Sequence, residues 1–188
     1  LLEKQQADGL RSLVYDEFFF LELGLALKRQ GVVLEPGIKF DVTHKYTRPL
    51  AAALPFNMTN AQRRVLGEIK RDLISAHPMN RLIQGDVGCG KTIVALMTAL
   101  VAIENDTQVA VVAPTEILAE QHADNFQRWL EPLDIQVLSL MGADKGRRRE
   151  QKLAVIASGK AQVVVGTHAL LQESVSYARL DLVVVDEQ

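Results

Sequence analysis

Eight consecutive residues, Gly85-Asp86-Val87-Gly88-Cys89-Gly90-Lys91-Thr92, follow the pattern G-x-x-x-x-G-K-[ST]. That spacing is the signature of a phosphate-binding loop. Its glycines permit a turn tight enough for successive backbone N–H groups to converge on one phosphate chain. Lys91 adds a point charge suited to β- and γ-phosphates, and the Thr92 hydroxyl is a natural ligand of the accompanying Mg²⁺. A helix starting at the lysine would turn the positive end of its dipole toward the same anion. The implied chemistry is binding of a nucleoside triphosphate with Mg²⁺.

A second set of residues fits the same chemistry. Leu182 to Val185 form an apolar run that ends in Asp186-Glu187. Beside a phosphate loop, the first carboxylate would hold Mg²⁺, usually through water. The second would orient or deprotonate an attacking water. Upstream, Thr59-x-x-Gln62 has the form of a capping box. Gln62 also has an amide that can donate to and accept from the N6/N7 edge of adenine. A glutamine one helix before the loop favours the adenine role, and therefore ATP as the nucleotide.

The loop needs a strand before it and a helix after it. Arg81–Gln84 reads as the strand, and the apolar run from Ile93 to Ile103 as the helix. Further on, strands are expected at 108–113, 135–140, 162–165 and 180–185. Helices are expected from Thr115, a candidate N-cap, to about Leu130, and from the end of a loop at 141–146 to about Ser158. Another helix is expected over 60–76, ending before Pro78. Alternating strands and helices predict an α/β fold with a parallel sheet and helices on both faces. In such sheets ligands collect at the carboxyl ends of the strands. Thr115, Gly166-Thr167-His168 and Asp186-Glu187 all follow a strand directly, as does the loop.

Ahead of this domain, residues 8–30 read as a helix with a wide apolar stripe that includes Phe18-Phe19-Phe20. Residues 31–49, punctuated by Gly31, Pro36, Gly37 and Pro49, read as an extended linker. The organisation expected is 1–50 as helix and linker, and 51–188 as the nucleotide-binding domain. Neither end has the form of a natural terminus: residue 1 is Leu, and the chain stops directly behind the 180–185 strand, so an internal piece of a longer protein is expected.

Composition narrows the function classes. The net charge is −2, from 21 Lys and Arg against 23 Asp and Glu, which leaves nucleic-acid binding to local patches. The single cysteine excludes an internal disulfide framework and a multi-cysteine zinc site. The four histidines, His44, His77, His122 and His168, have no metal-ligand spacing. No apolar run has the length of a membrane span, and no signal peptide is visible. Lys145, Arg147, Arg148 and Arg149 form a basic cluster, read as a solvated helix start ahead of a DNA contact.

The stretches LPFNMTNAQRRV, RLIQGDVGCGKT, APTEILAEQHADNF, VVGTHALLQ and VVVDEQ, spread over residues 54–188, resemble superfamily 2 helicases. Within them the chain is most similar to the RecG family, bacterial ATP-dependent helicases of branched DNA. The resemblance implies a RecA-like motor domain that uses ATP and Mg²⁺. It implies an adenine-reading Gln62. The phosphate and metal site would comprise Gly85, Asp86, Val87, Gly88, Cys89, Gly90, Lys91 and Thr92, with Asp186 as the second metal ligand. It implies Lys91, Asp186 and Glu187 as catalytic groups. It also implies that Pro114, Thr115 and Glu116, with Gly166, Thr167 and His168, line the DNA path. Backbone and hydroxyl contacts to phosphate suit a motor that must hold DNA without reading sequence.

The same resemblance implies branched double-stranded DNA as partner, and a second RecA-like domain and a wedge domain elsewhere in the chain. It also implies a monomeric motor in the bacterial cytoplasm, at the nucleoid, serving recombination and repair. Cys89 departs from the serine usual at its position. A thiol at a helix start beside a lysine has the setting of a reactive cysteine. Rival expectations are a transcription-repair coupling translocase, an RNA helicase, and a nucleotide-binding switch; the Asp186-Glu187 pair speaks against the switch. Without a second motor domain to supply an arginine finger, residues 1–188 alone are expected to bind nucleotide weakly and hydrolyse it little.

Overall fold

A computed structural model of the chain describes residues 15, 18–20, 22–25 and 36–186. Tyr15, Phe18–Phe20 and residues 22–25 are helical, as expected for part of 8–30; the other residues of that expected helix lie outside the described residues. Their aromatic rings are exposed; Tyr15 stacks on Phe19 with centroids 6.1 Å apart, and Phe20 meets Phe19 edge-on at 5.7 Å.

From residue 36 onward the chain builds five α-helices and four strands among the described residues. The helices are α1 (Thr47–Ala53), α2 (Asn60–Leu73), α3 (Lys91–Ile103), α4 (Glu116–Leu130) and α5 (Gly146–Ala157). The strands are β1 (Gln108–Val112), β2 (Val137–Leu140), β3 (Val163–Gly166) and β4 (Leu180–Val185). All pairings are parallel, in the order β2-β3-β1-β4. β1 and β3, at the centre, are buried along their whole length, as their uninterrupted β-branched runs require.

Alternate strand residues serve opposite faces of the sheet. Val109, Val111, Val163, Val165 and Leu182 pack with residues of α2, α3 and α4 into one core. Ala110, Val112, Val164 and Leu140 pack with Ile156 of α5 into another. The helices therefore cover both faces. α3 is apolar on every side, and ten of its thirteen residues are buried, which marks it as the helix at the centre of the domain.

One expected strand is absent. Arg81–Gln84 pairs with no strand among the described residues, and Leu82 is 73% exposed. A strand exists through a neighbour's hydrogen bonds. β4 is an edge strand of the four-stranded sheet, with Val183 and Val185 exposed.

Residues 36–49, the described part of the stretch read as an extended linker, pack on the domain, and α1 begins inside them. Phe40 and Leu50 are buried. Their segment is clasped by the C-terminal end of α3. Glu104 Oε2 accepts from Thr43 N, Thr43 Oγ1 and His44 N at 2.9–3.0 Å. Its Oε1 accepts from Tyr46 N at 2.9 Å and Thr47 N at 3.3 Å. Beside it, Asn105 exchanges two hydrogen bonds with the backbone of Asp41. Burial pushes the Glu104 pKa up, but the N–H groups of Tyr46, Thr47 and Thr43 and the Thr43 hydroxyl hold it below the usual carboxylate value.

Candidate nucleotide and nucleic-acid site

The phosphate loop leads straight into α3. Gly88 and Gly90 stand at φ 80° and 84°, a left-handed backbone that glycine adopts without steric cost. Gly90 is also the residue before the first helical turn, so its conformation sets the direction of α3. A Cβ at Gly90 would lie 2.4 Å from Gln62 Nε2. Cys89 N donates to Asp86 O and closes the turn. The amides of Gly88 and Gly90 find no acceptor among the described residues. Lys91 Nζ donates to Gly85 O at 2.7 Å and Asp86 O at 3.1 Å, which folds the lysine over the loop.

Gln62 carries out its local role and keeps capacity for another. Thr59 Oγ1 accepts from Gln62 N and Gln62 Oε1 accepts from Thr59 N, so the capping box is complete. Gln62 Nε2 donates to Cys89 O at 2.9 Å, which ties α2 to the loop. One hydrogen on Nε2 and one lone pair on Oε1 remain free, the pair that an adenine edge requires.

Around the sheet, the remaining residues singled out from the sequence fall at one edge. Pro114 and Thr115 follow β1, and Thr115 Oγ1 caps α4 by accepting from Leu118 N. Glu116 Oε1 accepts from Gly142 N at 2.7 Å, so its carboxylate holds the loop after β2. Gly166 ends β3; a Cβ there would come within 2.4 Å of Leu140 O, which leaves glycine as the residue that fits. Thr167 is buried, and the exposed His168 opens a short 3₁₀ turn, His168–Leu171. Asp186 follows β4 and keeps one more ladder bond, from its N–H to Val112 O at 2.9 Å. Glu187 lies outside the described residues.

The two halves of the site are not joined directly: neither Lys91 nor Thr92 hydrogen-bonds to Asp186 among the described residues. Asp186 Oδ2 instead lies 2.6 Å from His122 Nε2 on α4. Nothing in the sequence singles out His122 when the histidines are read for metal-ligand spacing. The available signal was a polar ring two turns into the helix that follows the central strand.

The basic cluster divides. Arg148 and Lys152 pair with the buried Asp144 at 3.1 and 2.6 Å. Burial raises the Asp144 pKa, but the Lys152 ammonium, the Met141 amide and the Arg148 charge bring it below the usual value. Arg149 reaches Gln172. Lys145, which ends the loop that Glu116 braces, and Arg147, in the first turn of α5, stay exposed.

The donor set suits a nucleoside triphosphate with Mg²⁺. It offers free loop amides, an ammonium, a hydroxyl at a helix start and the Asp186 carboxylate. Mg²⁺ takes few protein oxygens and fills its shell with phosphate and water. Among the described residues no trio of His, Cys, Asp or Glu could hold a metal without such a ligand.

A phosphate loop at the start of a buried helix, beside a parallel sheet covered on both faces, defines a P-loop nucleotide-binding domain of the RecA-like kind. The sequence model of the DEAD/DEAH box helicases matches residues 59–188. The chain belongs to that family. It is 46% identical over 188 residues to the ATP-dependent DNA helicase RecG of Haemophilus influenzae, covering all of this chain and 27% of that protein. It is 42% identical to the RecG of Aquifex aeolicus, over 95% of this chain and 22% of the relative. It therefore spans about a quarter of the length of these relatives. A solved structure of RecG bound to a three-way DNA junction superposes with TM-score 0.86 at 41% identity, over 93% of this chain and 24% of that one. A hypothetical ATP-dependent RNA helicase from Sulfolobus tokodaii superposes with TM-score 0.51 at 20% identity, over 69% of this chain and 35% of that one, a likeness of fold alone.

Proposed function

We propose that this chain is the first motor domain of an ATP-dependent DNA helicase that remodels branched DNA in recombination and repair. The observation that carries the reading is the loop at Gly85–Thr92, with left-handed glycines, free amides and Lys91 at the start of a buried helix. The relatives named RecG, and the RecG structure holding a three-way junction, supply the substrate class. In this reading Lys91 neutralises the β- and γ-phosphates, and Thr92 and Asp186 hold Mg²⁺. Glu187 activates the attacking water, and Gln62 selects adenine.

Pro114, Thr115 and Glu116 of one loop, and Gly166, Thr167 and His168 of another, form the DNA-facing edge. Glu116 acts there by ordering the Gly142 loop, because a carboxylate repels phosphate. Residues 51–188 are the motor domain proper, with residues 36–50 strapped against it. A second RecA-like domain and a wedge domain complete a monomeric motor that works on the bacterial nucleoid. Among the described residues no helix is long and apolar enough to cross a membrane.

The test is a titration of residues 1–188 with a fluorescent ATP analogue and Mg²⁺, with Lys91→Ala alongside. Saturable binding that Lys91→Ala removes supports the reading. Equal binding by both proteins would refute the assignment of the loop.

A further inference from the structure

His122 belongs to neither the nucleotide site nor the DNA edge assigned above, yet it makes the one side-chain hydrogen bond of Asp186 among the described residues. A carboxylate only accepts, so the ring donates through Nε2. The other nitrogen, Nδ1, is buried with no hydrogen-bond partner among the described residues. The side chain is 13% exposed, and its ring lies against Phe126 one turn on, with centroids 6.2 Å apart. Phe126 is itself fully buried. The imidazole is thus held by the core on one side, with Asp186 as its polar tie on the other. Asp186 in turn has two anchors: its N–H on Val112 O of β1, and its carboxylate on His122 of α4.

The helix that carries His122 begins at the edge read as facing DNA. Thr115 caps α4, and Glu116 in its first turn grips the Gly142 loop. From Glu116 to His122 is about 9 Å along a continuous helix, at roughly 1.5 Å per residue. A helix of this kind moves as a body, so a displacement of its first turn reaches His122. Imidazole and carboxylate partners of this sort fix the orientation of a metal-binding group.

We propose that His122 is a positioning residue that couples the Pro114–Glu116 edge to the Asp186 carboxylate, so that DNA held at the first turn of α4 sets the aim of Asp186 toward the Mg²⁺ of bound nucleotide. The inference rests on the DNA reading of that edge given under Proposed function. His122 touches neither nucleotide nor DNA in this account; it acts through Asp186.

The experiment uses the full-length helicase with His122→Leu, which keeps bulk and removes the donor, and His122→Gln, which restores a donor at similar reach. Three quantities are read: affinity for junction DNA without nucleotide, affinity for a fluorescent ADP analogue with and without Mg²⁺, and the rise in ATP turnover on adding junction DNA. Loss of an outer partner of a metal ligand typically costs about 10–100-fold in metal affinity or activity.

His122→Leu is expected to bind DNA within about twofold of wild type. It should lose about tenfold of the Mg²⁺-dependent gain in nucleotide affinity and about tenfold of the DNA stimulation of kcat. His122→Gln is expected to recover most of both. The coupling is overturned if His122→Leu keeps both, or if Leu and Gln are equally defective, which would leave a packing role alone. If wild type itself shows no DNA-stimulated turnover, the DNA reading falls and the coupling falls with it. Stimulation that is intact in both wild type and His122→Leu removes the coupling alone.

Discussion

Glu104→Ala should cost the domain about 3 kcal/mol and flatten part of its acid sensitivity. Glu104 receives five hydrogen bonds from the segment 43–47. The two from Thr43 are exposed and return to water at little cost. The amides of His44, Tyr46 and Thr47 are partly buried. Each loses about 1 kcal/mol when its acceptor is removed, which gives roughly 3 kcal/mol in all. At roughly 2–4 °C per kcal/mol for a domain of this size, the melting temperature should fall by about 6–12 °C at pH 7.

The pH dependence follows from the direction of the Glu104 shift. Its folded pKa lies below the ordinary value, so its contribution is complete above about pH 5. It is lost as pH falls through the folded value. The gap between wild type and Glu104→Ala should therefore narrow toward pH 3. Asp144, whose pKa is also lowered, titrates in both proteins and cancels in the difference. Thermal melts followed by circular dichroism at pH 7 and at pH 3–4 measure both effects. A shift under about 2 °C at pH 7, or a gap that widens in acid, would refute the reasoning.

Three further outcomes follow from the same structure. Phe126→Ala removes a fully buried ring from the core under α4 and should cost about 3–5 kcal/mol, read as a lower urea midpoint. A thiol alkylator should modify Cys89, which is exposed in the loop, and ATP with Mg²⁺ should protect it; mass spectrometry with and without nucleotide decides this, and equal labelling contradicts the placement. Glu116→Ala frees the Gly142 amide and should weaken junction-DNA affinity of the full-length protein by a few-fold while leaving nucleotide affinity unchanged, since Glu116 braces the loop that carries Lys145.

The parts of the fold that local chemistry decides were legible in the sequence. The glycine spacing announced the turn into α3, and Thr59 and Gln62 announced the cap of α2. Pro and Gly signals bounded the helices, and β-branched runs marked β1, β3 and β4. What stayed hidden depends on distant neighbours. Arg81–Gln84 has the composition of a strand and lacks a partner strand among the described residues, which no local pattern reveals. The clasp made by Glu104 is one such feature, because its donors lie 57–61 residues upstream. His122 and Asp186 meet across 64 residues, brought together by the parallel pairing of β1 with β4. The chemistry of the phosphate loop is readable from the chain itself, because eight adjacent residues hold most of it. The Asp186 half could be located but its partner could not.

The measurement that bears most directly on the central claim is steady-state ATP hydrolysis by the full-length protein, without DNA, with linear duplex and with a three-way junction, each repeated for Lys91→Ala. The account predicts that junction DNA raises turnover well above linear duplex and that Lys91→Ala abolishes hydrolysis in every condition. Hydrolysis indifferent to DNA, or retained by Lys91→Ala, would contradict it.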